Sequence, residues 1–460
     1  MSRKIYTILC LLLIAAFVLS ACGVPATESP PAATDVSTEA PASTEAPAAT
    51  EEPAATEAPA GEPVTVTWWH ITTDEGQAAV WQSLADSYMA EHPNVNIEIT
   101  ILENEAFKTK MTTVVQSGEM PDIFQSWGGG VMNEYVAAGM MKDITADLDA
   151  DGGAWRNTFS PGALGVYAVD GKNYGVPWDM GMVGFWYNKD LFAQAGIEAP
   201  PATWDELLED VTKLKAAGIT PIALGEGDKW PGHFWFGYLA TRICGQAGFQ
   251  RAASRSGSFT EPCFVEAGNK ILELNALEPF QDGFLGAVYG DQSTIMGNGE
   301  AAMELMGQWA PGAQAGNSAD GKGLGDKLGF FPFPAVEGGA GADTDAFGGG
   351  NGFGIGKDAE PEAVDFVKWL TSADAQVACA EAGFCIPVVK GGEAGMSDPL
   401  LIELQQTLSQ AQYFQLYYDQ ALPPAVGSVV NDSIQGIFAG TLTPEEAAQA
   451  IEDSAAQEIK

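Results

Sequence analysis

Residues 176–196 read VPWDMGMVGFWYNKDLFAQAG. Pro177, Trp178 and Asp179 make a proline-led turn. The turn runs into an apolar, aromatic segment at 180–187. A polar break, Asn188-Lys189-Asp190, follows, and then a short helix ending at Gly196. The central run carries too little polarity for a solvated surface. It is also shorter than the roughly 20 apolar residues that span a bilayer. Taken alone it is one fully buried strand.

Upstream, residues 64–69 (VTVTWW) alternate as a strand does. A helix over about 75–91 carries Val80, Leu84 and Tyr88 on one face. Residues 95–101 alternate again, a second helix over about 105–117 stops at Gly118, and 121–124 (PDIF) form a third short strand. This strand–helix order predicts an α/β fold, a mostly parallel sheet with helices on both faces. Ligands of such sheets sit beyond the carboxyl ends of the strands. The positions to watch there are Trp69, His70, Glu103, Ser126, Trp127 and Gly128.

Downstream, Thr203-Trp-Asp-Glu206 is a capping box opening a helix with Leu207, Val211 and Leu214 inward. Residues 219–224 read as a buried strand. Residues 225–235 (GEGDKWPGHFW) read as a loop dense in aromatic and polar groups, equally a packed surface loop. A helix over about 264–274, the segment AAMELMGQW at 301–309 and a strand over 328–334 follow. The glycine run at 348–355 is a poor dinucleotide loop, because no helix opens directly after it. It suits a hinge, where glycine lets the backbone twist. A helix over 361–370 turns Ala363, Phe366, Val367 and Leu370 inward, and Thr443-Pro-Glu-Glu446 caps the last one.

The chain resembles the family 1 extracellular solute-binding proteins, carbohydrate-binding lipoproteins of ATP-binding cassette importers. The resemblance rests on the proline-entered segment ending in Tyr-Asn-Lys-Asp, then Leu-Phe, Pro-Pro and Thr-Trp-Asp-Glu-Leu. It rests also on the opening Trp-Trp, the Gly-x-x-Pro-Asp-Ile strand at 118–123, and Tyr135 with Ala138-Gly139. The resemblance implies a two-lobed periplasmic-binding-protein-like fold of class II type, with three crossings between lobes. These are the stretch after Pro177, the glycine run, and 386–389. Lobe 1 is then 64–177 plus 354–388, and lobe 2 is 178–353 plus 389–460. It implies that Trp178 and Asp179 face the cleft, that Ser126, Trp127 and Gly128 touch ligand, and that Gly350 and Asn351 bring backbone near it. It also implies that Trp309 stacks on sugar.

Both ends of the composition agree. There are 61 acidic and 21 basic residues. That balance argues against nucleic acid and against electrostatic docking on anionic lipid. Arg3 and Lys4, an apolar stretch and Leu19-Ser20-Ala21-Cys22 form a signal (1–22) with a lipobox, the alternative being an ordinary secretory signal. Cys22 is the expected lipid attachment site, holding the protein outside the cytoplasm on the cell membrane. Residues 23–63, rich in Pro, Ala, Thr and Glu, form a disordered, extended spacer. Beyond Cys10 and Cys22, four cysteines remain. An even number in an exported chain suggests disulfides. Three pairings are possible, and the nearest neighbours, Cys244–Cys263 and Cys379–Cys385, are the choice. With three histidines and no Cys-x-x-Cys, no metal site and no cofactor are expected.

Sugars present C–H faces and a rim of hydroxyls. Aromatic rings cover the first, and carboxylates and amides bind the second. Of 12 tryptophans, Trp68, Trp69, Trp127, Trp178, Trp230, Trp235 and Trp309 lie at expected loop or strand ends. His70, Asp74, Ser126, Asp179, Glu226, Asp228, Lys229 and Gln308 are their polar neighbours. Core packing is the plain alternative for any single tryptophan. The reading is a monomeric, non-enzymatic receptor. It closes on a mono- or oligosaccharide and presents it to a membrane permease. The alternatives are a polyamine or other small solute in the same fold, and a lipid-anchored glycoside hydrolase with two carboxylates. The few arginines, Arg156, Arg242, Arg251 and Arg255, sit at no strand exit, which favours a neutral ligand over one needing a carboxylate clamp.

Overall fold

Alternation puts Val66, Trp68 and His70 of β1 (Val64–His70) on one face, and all three are buried. They belong to a computed structural model that describes residues 62–383 and 385–459. The signal, Cys22 and the spacer up to residue 61 lie outside the described residues. Asp74 caps α1 (Glu75–Glu91) by accepting the Gln77 amide at 2.8 Å. The inward face of α1 is Trp81, Leu84, Ala85 and Tyr88. Val80, expected inward, is only half-buried, because Trp81 fills the space over β1 with its ring 5.1 Å from Trp68. β2 (Val95–Ile101) and β3 (Ile123–Ser126) both pair with β1 in parallel. Between them, α2 (Asn104–Ser117) stops at Gly118, where φ is 79° and a side chain would be strained. α3 (Gly129–Ala137) follows.

The chain then reaches β4 (Gly175–Pro177), β5 (Gly181–Met182) and β6 (Gly184–Asn188). The rest of the elements used below are α4 (Trp204–Ala216), β7 (Thr220–Ile222), α5 (Trp230–Ala253), β8 (Ala301–Met306), α6 (Ala310–Asn317), β9 (Leu328–Phe331), β10 (Ala346–Gly349), β11 (Gly352–Ile355), α7 (Pro361–Leu370), β12 (Phe414–Leu416) and α8 (Pro424–Phe438). α4 has the capping box read from Thr203 and Glu206. The stretch 225–235, read as a loop, is helical from Trp230 onward. Its start is hidden in sequence because no side chain caps it; Lys229 holds φ at 68° instead, and Pro231 occupies the first turn, where no N–H is needed.

Among the described residues four sheets result, one of them only the two-stranded pair of Ala168–Val169 and Lys172–Asn173. The first runs β2-β1-β3-β11-β4 and the second β9-β6-β8-β7. A third, β12-β10-β5, joins two strands that adjoin crossings, β10 and β5, to β12 from the tail. The sheets are mixed rather than mostly parallel. β11 returns antiparallel to β3 and β4, and β6 runs antiparallel to β8 and β9. The cause is that β11 and β6 are the far ends of crossings, so they enter their sheets from the opposite side. Two large buried clusters correspond to the two large sheets. One holds Trp68, Trp81, Trp178, Phe353 and Phe366; the other holds Phe185, Trp186, Trp204, Trp235 and Phe347. The chain crosses at 177–181, at 349–352 and at 386–387, and the crossings touch. Trp178 N–H donates to the Asn351 carbonyl at 2.7 Å, and Met180 N–H to Ile386 at 3.2 Å.

Cys244 and Cys263 lie with Cα atoms 5.2 Å apart, and Cys379 and Cys385 5.9 Å apart, each within disulfide reach. Arg242 is buried in α5 and donates to the Phe333 and Pro334 carbonyls at 2.9 and 3.2 Å, a packing role. Among the described residues, no helix is long and apolar enough to cross a membrane.

Gly352, on the second crossing, shows how tight these junctions are. A Cβ there would run into the Tyr167 hydroxyl and the Val176 carbonyl. Gly352→Ala is expected to lower stability by about 1–3 kcal/mol, as overpacking does, read as a shift in the urea unfolding midpoint. An unchanged midpoint would show the junction to be looser than described.

Candidate functional site

The crossings converge on one carboxylate. Asp179 is buried, 3 % exposed. Its Oδ1 accepts the Asn351 backbone amide at 2.6 Å and Asn351 Nδ2 at 3.0 Å, and its Oδ2 accepts Gln308 Nε2 at 3.1 Å. Asn351 Oδ1 in turn accepts Gln125 Nε2 from β3 at 2.7 Å. Gln125 belongs to the first sheet and Gln308 follows β8 of the second, so this network joins the two. Burial pushes the Asp179 carboxyl up to about 6, against the hydrogen bonds from Asn351 and Gln308. Gly350 packs on the Asp179 backbone, where a Cβ would meet the Asp179 main-chain carbonyl. Trp127, Asp179 and Gly350 also line one cavity of about 10 Å³, near the room one water needs. Ser126 Oγ accepts the Gly128 amide at 3.1 Å and fixes the turn before α3.

Directly after Gln308, Trp309 caps α6, and its ring lies 6.3 Å from Trp230 and 6.5 Å from Phe234. Tyr289 lies 5.1 Å from Trp230, and Tyr417 stacks on Phe234 at 5.0 Å. These rings form one aromatic wall. It is held from below by Glu304 on β8, which accepts Gln314 Nε2 of α6 at 2.6 Å and Gln292 Nε2 at 2.7 Å. Gln292 Oε1 takes the Gly225 amide at 2.8 Å, so the same carboxylate seats the segment leading to Trp230. Burial raises Glu304 to about 7, against these two amide bonds.

Polar atoms meet that wall. His233 Nδ1 lies 3.0 Å from the Trp230 carbonyl, which places its proton there and leaves Nε2 an acceptor. Nε2 is buried and has no hydrogen-bond partner; Asp419 Oδ1 lies 3.8 Å away. Burial lowers the His233 pKa, which keeps the ring neutral. Asp419 Oδ2 accepts Asn431 Nδ2 of α8 at 3.2 Å and faces Lys108 of α2 at 3.9 Å, an ion pair between the two halves. Trp230 Nε1, Tyr417 Oη, Gln420 Oε1 and Asn431 Oδ1 are also buried without a protein partner. Each such atom costs about 1–3 kcal/mol unless something pairs with it.

Several expected positions lie elsewhere. His70 and Trp178 are in the first core, not the cleft: Trp81 of α1 covers both, with ring centroids 6.0 and 4.6 Å away, and burial pulls His70 down to about 4. Trp68 and Trp235 are core residues too. The Trp69 face is occupied by Lys110 Nζ at 4.1 Å. Glu226 is fully buried against Gly232 in the first turn of α5, and burial raises its pKa well above the carboxylate range. Lys229 turns out to Asp432 at 2.5 Å. Asp74 touches α6, where a Cβ on Gly316 would strike its Oδ2. Sequence reading missed Lys108, His233, Tyr417, Asp419, Gln420 and Asn431. The run Tyr417-Tyr418-Asp419-Gln420, aromatic and polar directly after β12, was the one local signal.

The sequence profile described as bacterial extracellular solute-binding protein matches residues 72–377. The "Multiple sugar-binding protein" of Streptococcus mutans serotype c is 28 % identical over 333 residues, 70 % of this chain and 75 % of that protein. A solved structure titled for xylan utilization by the thermophilic bacterium Caldanaerobius polysaccharolyticus is similar at TM-score 0.79 and 28 % identity, covering 85 % of this chain and 99 % of that one. A structure titled chitin oligosaccharide binding protein is similar at TM-score 0.80 and 26 % identity, covering 86 % and 99 %.

The junction makes a pH prediction. A carboxyl whose folded pKa is raised contributes stability that is present below its unfolded value of 3.8 and lost as pH rises through about 6. Wild type is therefore expected to lose stability relative to Asp179→Asn between about pH 4 and pH 7, by on the order of 2–3 kcal/mol. Urea unfolding of both proteins across that range measures it, and a difference that stays constant with pH would contradict it.

Proposed function

The chain belongs to the bacterial extracellular solute-binding protein family, and on that premise we propose that it captures an uncharged mono- or oligosaccharide between its two lobes. It then presents the ligand to the permease of an ATP-binding cassette importer. The lobes are 64–177 plus 354–388 and 178–353 plus 389–460. Lipid on Cys22 and the spacer 23–63 hold it, as a monomer, outside the membrane. No cofactor takes part. Among its relatives are proteins named for sugar and chitin-oligosaccharide binding.

One observation carries the ligand class. A wall of Trp230, Phe234, Trp309 and Tyr417 adjoins buried polar atoms that no protein group satisfies. Rings offer apolar area to the C–H face of a sugar. His233 Nε2, Gln420 Oε1 and Asn431 Oδ1 accept from hydroxyls, and Trp230 Nε1 donates. Closing the cleft excludes water and strengthens each of these bonds. A ligand carboxylate finds Asp419 there, with Lys108 already facing it. A polyamine meets the same lysine. Members of the family are binding proteins rather than enzymes, and Glu226, a fully buried acid near the wall, is packed against backbone.

Titration calorimetry across pentoses, hexoses and their oligomers, with spermidine alongside, tests the reading. Heat is expected with at least one sugar series and none with spermidine. Trp309→Ala is expected to weaken that binding about tenfold, or about 1.4 kcal/mol. Silence across all sugars would overturn the reading, and a response to spermidine alone would select the polyamine.

A further inference from the structure

Behind the aromatic wall sits an acid that no cation answers. Glu304 lies on β8, an inner strand of the second sheet, and is fully buried. Opposite it in register is Trp186 of β6, whose Nε1 donates elsewhere, to the Met306 and Gly307 carbonyls at 3.1 Å. Gln314 comes from α6 and Gln292 from the helix Tyr289–Gly297, each giving one amide N–H. β7 and α6 carry no titratable side chain. On the helix Tyr289–Gly297, Asp291 turns back to accept the Val288 amide at 3.0 Å. Tyr289 is the titratable group that feels Glu304. Burial first, and then the Glu304 charge, push its hydroxyl well above the usual value. Among the described residues Glu304 has no ion-pair partner; burial and the two amides alone act on its proton.

The two amides are not equivalent. Gln292 is locked, because its Oε1 already takes the Gly225 amide at 2.8 Å. It can only donate to Glu304. Gln314 Oε1 is buried and has no hydrogen-bond partner, so that amide is free to turn over. A charged Glu304 accepts from both amides. A neutral one keeps Oε2 as the acceptor toward Gln292 and carries its proton on Oε1. Gln314 then turns its bare Oε1 to meet that proton. Both hydrogen bonds survive, and an orphaned acceptor gains a donor. The cluster thus holds a proton without coming apart. Burial already raises Glu304 to about 7 against those bonds, so both forms are populated near neutral pH. A sugar on Trp309 and Trp230 displaces water from the wall, and that further desolvation disfavours the charged form.

Resting on the carbohydrate reading above, we propose that Glu304 is a proton site coupled to the ligand: the receptor takes up a proton there as a sugar stacks on the wall. Glu304 touches no sugar; it is a positioning residue acting through Gln314 and Gln292. The bound form holds more proton than the free form, so affinity falls as pH rises through neutrality. A one-unit rise on binding makes affinity about tenfold higher well below that titration than well above it. Burial keeps His233 neutral over the same range, so it supplies no uptake. Titration calorimetry at about pH 7.5, in two buffers of different ionisation heat, counts the protons. The probe is xylotriose or the N-acetylglucosamine trimer, or the tightest-binding sugar of the panel above if neither binds. Wild type is expected to take up about half a proton per sugar. Glu304→Gln, which imitates the neutral acid, is expected to lose that uptake and to hold across pH the affinity that wild type shows only at low pH. Infrared difference spectra of wild type read the same proton without a variant. A protonated-carboxyl band is expected to grow with sugar and to move when glutamate carboxyls carry an isotopic label. Sugar binding without uptake, uptake undiminished in Glu304→Gln, or a band that ignores the label would overturn the proton site and leave the carbohydrate reading standing. A protein that binds no sugar of the panel would overturn both.

Discussion

A carboxylate taken out of water has to be satisfied by whatever surrounds it. At the junction of the three crossings, Asp179 is that group, and amides from Asn351 and Gln308 answer it. Asn351 draws in Gln125 from the first sheet, and Gln308 arrives from the second. The position of one buried charge therefore sets how two cores stand to each other. It also sets Trp309, the residue after Gln308. The third crossing joins the same knot, since Met180 and Ile386 share a backbone hydrogen bond. Hinges in two-lobed binders are a few residues at element ends that absorb backbone rotation. Here those residues are short strands and glycines around a fixed polar centre.

The cleft follows from having two cores instead of one. Each sheet buries its own aromatic cluster, Trp68 with Trp81 and Trp178 in one, Phe185 with Trp235 in the other. What remains between them is surface that neither core covers. Across that surface Lys108 faces Asp419, and Asp74 lies against Gly316. His233, Tyr417, Gln420 and Asn431 present polar atoms there that are buried without protein partners. Such a state is stabilised by a guest that supplies them, so ligand and closure are linked as differential affinity requires.

Much of this could be read from the chain. The stretch 176–196 read by itself as one buried strand, and its resemblance to the solute-binding family marked it as a crossing. The capping boxes at Thr203 and Thr443 stand as read. The start of α5 was not readable, because a lysine at positive φ replaces the usual capping side chain. Which tryptophans face the cleft was not readable either. Trp178 and Trp309 both sit at strand or helix ends, and what separates them is Trp81, nearly a hundred residues before Trp178, covering one and not the other. The polar set was hidden for a related reason. His233 lies inside a helix, and Asp419 and Asn431 come from the tail, so only the folded chain brings them to Lys108.

The central claim is that two half-shells close over a neutral, hydroxyl-rich ligand about a buried polar hinge. Small-angle X-ray scattering of the protein with and without the sugar that it binds is the most direct test. The account predicts that the radius of gyration falls as the sugar saturates the protein. A radius that does not change at saturation would contradict it.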